Sequence, residues 1–318
     1  MNILCVTPNV AVDRLITVPQ FAAGGIWRAT AARVTCGGKG VNVARALRRL
    51  GHHPVCVGLL GGEAGCRAAD SARFEGLTTA WTWIDGETRT CIIVVDERGT
   101  ATLINEPGPV LQEEDWARLL ADVEHAGREA EAVCICGSMP PNVTSGGLAR
   151  LVAAAAGEGR SGGRSVWVDT GGEALIDALY AGPDGVKINA EEAAAVLGEP
   201  VTTVPAAVSA AQWLRRRGAA RAIVTMAAEG AVLAEAGGAW LARPPALTPV
   251  NKVASGDAFL AGLLAGYAGG LDAPEALRLA AATGAANTQS LGLADIDTGV
   301  VDRLRARTEV EAVAAEGG

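Results

Sequence analysis

Asn251-Lys252-Val253-Ala254-Ser255-Gly256-Asp257, followed by Ala258-Phe259-Leu260-Ala261-Gly262, is the stretch on which the reading of this chain turns. Small residues lead to one acidic side chain, and no further charge occurs until Asp272. The pattern predicts a tight loop entering the N-terminus of a buried helix. Such a start leaves backbone N–H groups unpaired and presents the positive end of the helix dipole, which suits an anion. A carboxylate at that place has two readings. Either it is a first-turn acid that stabilises the dipole, or Asp257 is a base. In the second case it takes a proton from a hydroxyl while the N–H groups of Ser255, Gly256 and Asp257 hold a transferring phosphoryl group.

A second Gly-rich segment lies near the other end: Cys36-Gly37-Gly38-Lys39-Gly40-Val41-Asn42-Val43-Ala44-Arg45. From Lys39 the pattern is helical, with Val43, Leu47 and Leu50 on one face and Arg45, Arg48 and Arg49 elsewhere. Gly51 suits the C-terminal cap. Lys39 and Asn42 then stand at a helix mouth beside free N–H groups. Lys39 is followed by Gly40 rather than Ser or Thr, which excludes a Walker A loop. The first strand, Ile3–Val6, runs into Thr7-Pro8-Asn9 without glycines, which excludes the dinucleotide fingerprint.

Between these segments, apolar strand-like runs recur at Ile3–Val6, Val55–Leu60, Val133–Cys136, Val166–Val168, Val186–Ile188 and Ile223–Thr225. Helical patterns separate most of them, such as Asp115–Val123 with Trp116, Leu119, Leu120 and Val123 on one face. Alternation of this kind predicts an α/β fold with a mostly parallel sheet covered on both sides. Two stretches, about 11–36 and 82–105, break the rhythm with short β segments and turn residues at Ala23-Gly24-Gly25 and Glu97-Arg98-Gly99. Gly157–Gly163 reads as a flexible surface loop rather than a boundary. With 318 residues, 49% hydrophobic, the chain is long enough for one large domain spanning 1–318.

A net charge of −8 argues against a nucleic-acid partner. The longest uncharged run, Ala258–Leu271, is too short to span a bilayer, and the N-terminus enters a strand at once. Seven Cys, mostly in apolar strands, read as reduced residues of a cytoplasmic protein. No Cys-x-x-Cys occurs, and His52, His53 and His125 are expected at helix ends, so no Cys/His metal site is expected.

The two glycine segments, with Thr7-Pro8-Asn9 and Asp13, resemble the signatures of the phosphofructokinase B branch of the ribokinase-like sugar kinases. Further matches follow in order: Glu87-Thr88-Arg89, Asn105-Glu106-Pro107-Gly108-Pro109, Gly137-Ser138-Met139-Pro140-Pro141, Val168-Asp169-Thr170-Gly171-Gly172, Lys187-Ile188-Asn189 and Val224–Ala231. Within the family the pattern is most similar to 1-phosphofructokinases and tagatose-6-phosphate kinases. The resemblance implies a three-layer ribokinase-like fold, with the two β insertions forming a small lid over the sugar. It implies ATP and Mg²⁺ as cofactors and transfer to a phosphorylated ketohexose, fructose 1-phosphate first. Tagatose 6-phosphate or fructose 6-phosphate is the alternative, and a weakly active sugar-phosphate- or nucleotide-binding protein is the reading from another class.

Carried over residue by residue, the family pattern makes Asp257 the base. Asp13, Gly37, Gly38, Asn42 and Ser138 fall to the sugar, and Lys39, Arg28 and Arg89 to the phosphate already on it. Lys187, Asn189, Thr225, Ala228, Gly230 and Gly256 fall to the nucleotide, and Asn189 with Glu192 to Mg²⁺ through water. Asn189 and Glu192 also suit a helix cap with a first-turn acid. Four positions depart from the family: Ala254 and Ala227 where Gly is usual, Lys252, and Ile188. An Ala needing positive φ is expected to carry strain of about 1 kcal/mol. A homodimer through the lid is left as an open expectation.

Overall fold

The computed structural model of the protein describes residues 1–143, 145–157 and 164–314. Most of the expected loop at 157–163 lies outside the described residues. In chain order, β1 (Asn2–Thr7), β2 (Ala11–Val18) and β3 (Ala31–Gly37) precede α1 (Lys39–Arg49). Next come β4 (His53–Gly61), α2 (Gly62–Phe74), β5 (Thr78–Ile84), β6 (Arg89–Asp96) and β7 (Ala101–Asn105). Strand and helix then alternate through α3 (Glu113–Gly127), β8 (Ala132–Cys136), α4 (Gly147–Ala156), β9 (Ser165–Asp169), α5 (Gly172–Tyr180) and β10 (Gly185–Asn189). After α6 (Ala190–Leu197), α7 (Val204–Arg216) and β11 (Arg221–Thr225) come β12 (Ala231–Glu235) and β13 (Gly238–Arg243). The last described elements are α8 (Ser255–Ala268), α9 (Ala273–Asn287), α10 (Thr298–Arg305) and β14 (Glu309–Val313).

Among the described residues, ten strands form one sheet in the order β14-β13-β12-β11-β10-β9-β8-β1-β4-β5. Seven of them, β5 through β11 along that order, run parallel, and their runs are apolar because both faces are covered. One buried cluster lies between the sheet and α1, α2, α8, α9 and α10; a second joins the other face to α3–α7. Three layers result, as expected. The antiparallel edge β12–β14 adds to the expected sheet: sequences such as AVLAE and GAWLAR carry weak strand propensity, and pairing with β11 stabilises them.

A second, four-stranded sheet has the order β3-β2-β6-β7. It is built from the two β insertions expected to form a lid, but its later part begins at Arg89; Thr82–Ile84 belong to β5 and pair with β4 in the large sheet. The inner face of the lid, Leu15, Ile93 and Val95, packs against Leu293, Val253 and Ala254. The lid therefore rests on the loop that opens α8. Two smaller expectations also change. His53 opens β4 rather than ending a helix, and Arg45, placed on the polar side of α1 by periodicity, is buried. All seven Cys are free and only Cys66 is exposed. Among the described residues, no helix is long and apolar enough to cross a membrane.

Candidate active site

The strand order turns outward from β1, with β4 and β5 on one side and β8 to β11 on the other. At such a switch point the loops after the carboxyl ends of the strands diverge and leave a crevice. Asn9 follows β1, Gly137-Ser138 follow β8, Thr170 follows Asp169 of β9, and Asn189 and Thr225 end β10 and β11. Register also brings Ala11 of β2 beside Arg89 of β6, so the lid starts from the same crevice.

Helix α8 enters from the far side. Its cap, Ala254, adopts φ 63° and ψ 9°, the left-handed conformation expected to strain an alanine. The Ser255 N–H donates to Lys252 O at 3.3 Å, whereas those of Gly256 and Asp257 have no acceptor among the described residues. The expected three-donor anion hole is thus narrowed to two free donors. The Ser255 hydroxyl is structural, accepting from Asn287 Nδ2, which also donates to Val253 O. Asp257 is 6% exposed, and its Oδ2 accepts from Asn42 Nδ2 at 2.8 Å.

Beneath this helix start lies a network of opposite charges. Asp169, fully buried, accepts from Lys39 Nζ at 2.8 Å and from Lys187 Nζ at 2.7 Å, one lysine on each oxygen. Lys39 also reaches Glu192 Oε1 at 3.2 Å. A methyl group on Gly256 would lie 2.8 Å from Lys187 Nζ, so the absence of a side chain there leaves room for that ammonium close to the helix start. Burial works to raise the Asp169 carboxyl, but Lys187 and Lys39 outweigh it and hold it below the usual range. Burial likewise opposes the Lys39 charge, and Asp169 and Glu192 more than restore it. Asp257 differs: burial and the Asp169 charge push it up to about 6 against Lys39, Lys187 and Asn42. A carboxylate in that range is poised for proton exchange near neutral pH.

Asp13 stands on β2 opposite the glycine loop, 5% exposed, raised to about 7 chiefly by burial, with Asp257 adding to it and Arg45 and Arg89 opposing. Any side chain at Gly37 would overlap its carboxyl. Gly38, at φ 111°, takes a backbone region closed to other residues and lies against Thr7. Arg89 donates to the carbonyls of Asn9 and Glu106, leaving its buried Nε without a partner. Asn9 holds the mouth together, donating to Pro107 O and Met139 O and to the Ser138 hydroxyl. Lys39, Arg28 and Arg89, expected together on the phosphate of the sugar, share no described partner within the chain. Lys39 is clamped by Asp169 and Glu192, and Arg28 lies on the exposed connection 19–30 with no described bond to the site.

After β11 runs the loop that the family resemblance assigns to the nucleotide phosphates. Thr225 donates weakly to Ile188 O at 3.4 Å, Ala227 adopts φ 51°, Ala228 is exposed, and Gly230 adopts φ 103° where a side chain would overlap Ala242 O. Asn189 and Glu192 form a reciprocal capping box at the start of α6, at 2.8 and 2.9 Å. Among the described residues, no group of three or more His, Cys, Asp or Glu side chains could hold a metal ion. The oxygens of Asn189 and Glu192 each already accept one hydrogen bond. What remains fits a hydrated Mg²⁺ held at second hand beside phosphates, not a direct protein cage.

Sequence reasoning passed over Asp169 and Arg45. Asp169 left a signal, an acid ending the apolar run Val166-Trp167-Val168, and strand ends are where an α/β sheet carries its site. Arg45 left none, because helical periodicity assigns it to solvent.

The pfkB family carbohydrate kinase model matches residues 3–298. The chain belongs to the pfkB family of carbohydrate kinases. It is 39% identical to the 1-phosphofructokinase of Rhodobacter capsulatus over 284 residues, covering 89% of each chain. It is 33% identical to that of Bacillus subtilis over 290 residues, 91% of this chain and 93% of the relative. Among solved structures, a Thermotoga maritima protein named as a possible 1-phosphofructokinase superposes with a TM-score of 0.89 at 28% identity, covering 99% of this chain and all of that one. Escherichia coli phosphofructokinase-2, solved with fructose 6-phosphate, gives 0.84 at 27% identity, covering 96% and 98%.

Proposed function

We propose that this kinase transfers the terminal phosphoryl group of ATP to the free hydroxymethyl group of fructose 1-phosphate, giving fructose 1,6-bisphosphate. The observation that carries the chemistry is Asp257, a buried carboxyl at the mouth of α8 beside the free N–H groups of Gly256 and Asp257. Asp257 takes the proton of the acceptor hydroxyl as its oxygen bonds to phosphorus and the bond to the ADP oxygen breaks. The two N–H groups and the Lys187 ammonium receive the charge that develops on the phosphoryl oxygens. Lys39, held by Asp169 and Glu192, serves this same centre rather than the phosphate already on the sugar. Asp13 and Ser138 receive sugar hydroxyls, and Arg89 with its unpartnered Nε faces the existing phosphate. Thr225, Ala228 and Gly230 line the nucleotide side. Mg²⁺, held through water by Asn189 and Glu192, would shield the β- and γ-phosphates.

The relatives named 1-phosphofructokinase support fructose 1-phosphate over tagatose 6-phosphate and fructose 6-phosphate. The acid, the amide and both lysines are all present, which favours an enzyme over a binding protein without turnover. A coupled ADP-release assay over fructose 1-phosphate, tagatose 6-phosphate, fructose 6-phosphate, fructose and ribose tests the reading. Highest kcat/KM on fructose 1-phosphate is expected. A different best substrate reassigns the acceptor, and binding without turnover on any sugar overturns the kinase reading.

The lid supports self-association as well. Register places Val34, Arg14, Ile92 and Ile104 in one row across its outer face, and Val34 and Ile104 are 48% and 56% exposed. We assign this face to a second copy of the chain. Escherichia coli phosphofructokinase-2 has been solved as a tetramer.

A further inference from the structure

Arg45 is 6% exposed, and every one of its five N–H donors has an acceptor. Nε and one Nη2 hydrogen go to the Glu75 carboxylate at 2.6 and 3.2 Å, and the other Nη2 hydrogen goes to Cys36 O at 2.9 Å. Nη1 serves Asn42 Oδ1 at 2.7 Å and Leu293 O at 3.1 Å. Asn42, one helical turn earlier, has a primary amide that could present either its oxygen or its NH₂ to Asp257. A charged donor fixed on Oδ1 excludes one of the two orientations: the oxygen faces Arg45 and the NH₂ must face Asp257, as observed at 2.8 Å. The same guanidinium reaches the loop under α8. It holds Leu293 O, while Ala294 N–H donates to Asn287 Oδ1 and Asn287 Nδ2 to Ser255 Oγ.

We propose that Arg45, anchored by Glu75, is a positioning residue for phosphoryl transfer: it locks the Asn42 amide so that an N–H always meets the Asp257 carboxylate. Arg45 touches neither substrate nor reacting atoms in this scheme. The inference rests on Asp257 being the base. With the lock gone, the Asn42 amide can turn its oxygen toward Asp257, which opposes the ionised carboxylate that catalysis requires. The other groups that bear on Asp257 are Asp169 from β9, Lys39 from α1 and Lys187 from β10, with Asp13 across the crevice on β2. None of them donates to or accepts from Arg45.

The test is the kcat–pH profile on the best sugar phosphate at saturation. Arg45→Met/Glu75→Gln removes the lock without altering local net charge or leaving a buried ion unpaired. The acid limb is expected to move up by about one pH unit, with kcat above pH 8 within a few-fold of wild type. In an Asn42→Ala background the same pair of changes is expected to move the limb no further, because the amide is already absent. An equal shift in both backgrounds, or a fall in kcat by one factor at every pH, overturns the proposal. Should the double variant fail to fold, Arg45→Lys serves in both backgrounds, since a single ammonium cannot reproduce the five-donor fork. Loss of the Asp257 assignment would show separately, as activity retained in Asp257→Asn.

Discussion

Asp257 carries two requirements that oppose one another. Its carboxyl, raised to about 6 mainly by burial and Asp169, binds protons more tightly than in the unfolded chain. The stability linked to this group is therefore full below the unfolded value near 3.8, is lost as pH rises toward 6, and stays lost above it. Asp257→Asn keeps the hydrogen bond from Asn42 and the helix start but has no proton site. Its kcat is expected to fall about 10²–10⁴-fold while KM values change little. The same variant should melt a few degrees higher than wild type at pH 8, a gain on the order of 1–3 kcal/mol that vanishes near pH 4. Thermal melts at both pH values with steady-state assays check this, and an Asn variant within a few-fold of wild-type activity would refute the base. For the wild type, kcat should fall as pH drops below about 6, since a protonated Asp257 cannot accept the hydroxyl proton. Ala227 and Ala254 present a simpler residue-scale case. Both take positive φ, which costs an alanine roughly 1–2 kcal/mol, whereas glycine adds about 0.5–1 kcal/mol of unfolded-state entropy. Ala227→Gly, at an exposed position, should leave Tm equal or slightly raised and lower KM for ATP if strain holds the loop off its ligand. A drop in Tm of several degrees would show that the strain is not there.

Helix α8 is buried along nearly all its length and bears no charge after Asp257, so it has no solvent face to orient it. Close contact with α9 does this instead. A methyl group on Gly262 would lie 2.9 Å from the Cα of Ala280, and one on Gly266 would lie 2.8 Å from that of Ala276. Because α9 backbone is in the way, joined at Gly262 by the short, buried Thr283 side chain whose hydroxyl is held by Leu279 O, a larger residue must push the helices apart. Gly262→Val is expected to destabilise the protein by about 1–3 kcal/mol, read as a lowered Tm. It should also lower kcat, because α8 carries Asp257 at its mouth. An unchanged Tm would mean that the α8–α9 contact has room to spare.

For the whole molecule, the proposed self-association through the lid would link assembly to catalysis. Its inner face rests on Val253, Ala254 and Leu293, and its outer face carries the exposed Val34 and Ile104 in one row with Ile92 and Arg14. A sheet with one face on the catalytic loop and the other on a second copy would let association steady the crevice. Val34→Glu/Ile104→Glu should shift sedimentation toward monomer at micromolar concentration and raise KM for the sugar phosphate. A variant that sediments as the wild type does would remove this face as the interface.

The sequence by itself determined the layered α/β architecture, because strands covered on both faces must read as apolar runs and because glycines mark where backbone approaches ligand. It also placed Asp257, Asn42, Lys187 and Asn189 at strand ends and helix mouths, positions that local pattern defines, and it identified Ala227 and Ala254, two of the three alanines that take positive φ; Ala294, at φ 56°, left no such mark. Tertiary structure alone decided three further points. Strand pairing assigned Thr82–Ile84 to the large sheet and added β12–β14, since register depends on partners distant in the chain. Lys39 paired with Asp169 and Glu192, because a half-buried charge takes the counter-charges that the fold brings beside it, here from 130 and 153 residues away. Arg45 turned inward against its helical periodicity because Glu75, Cys36, Asn42 and Leu293 together supply the five acceptors that burying a guanidinium demands.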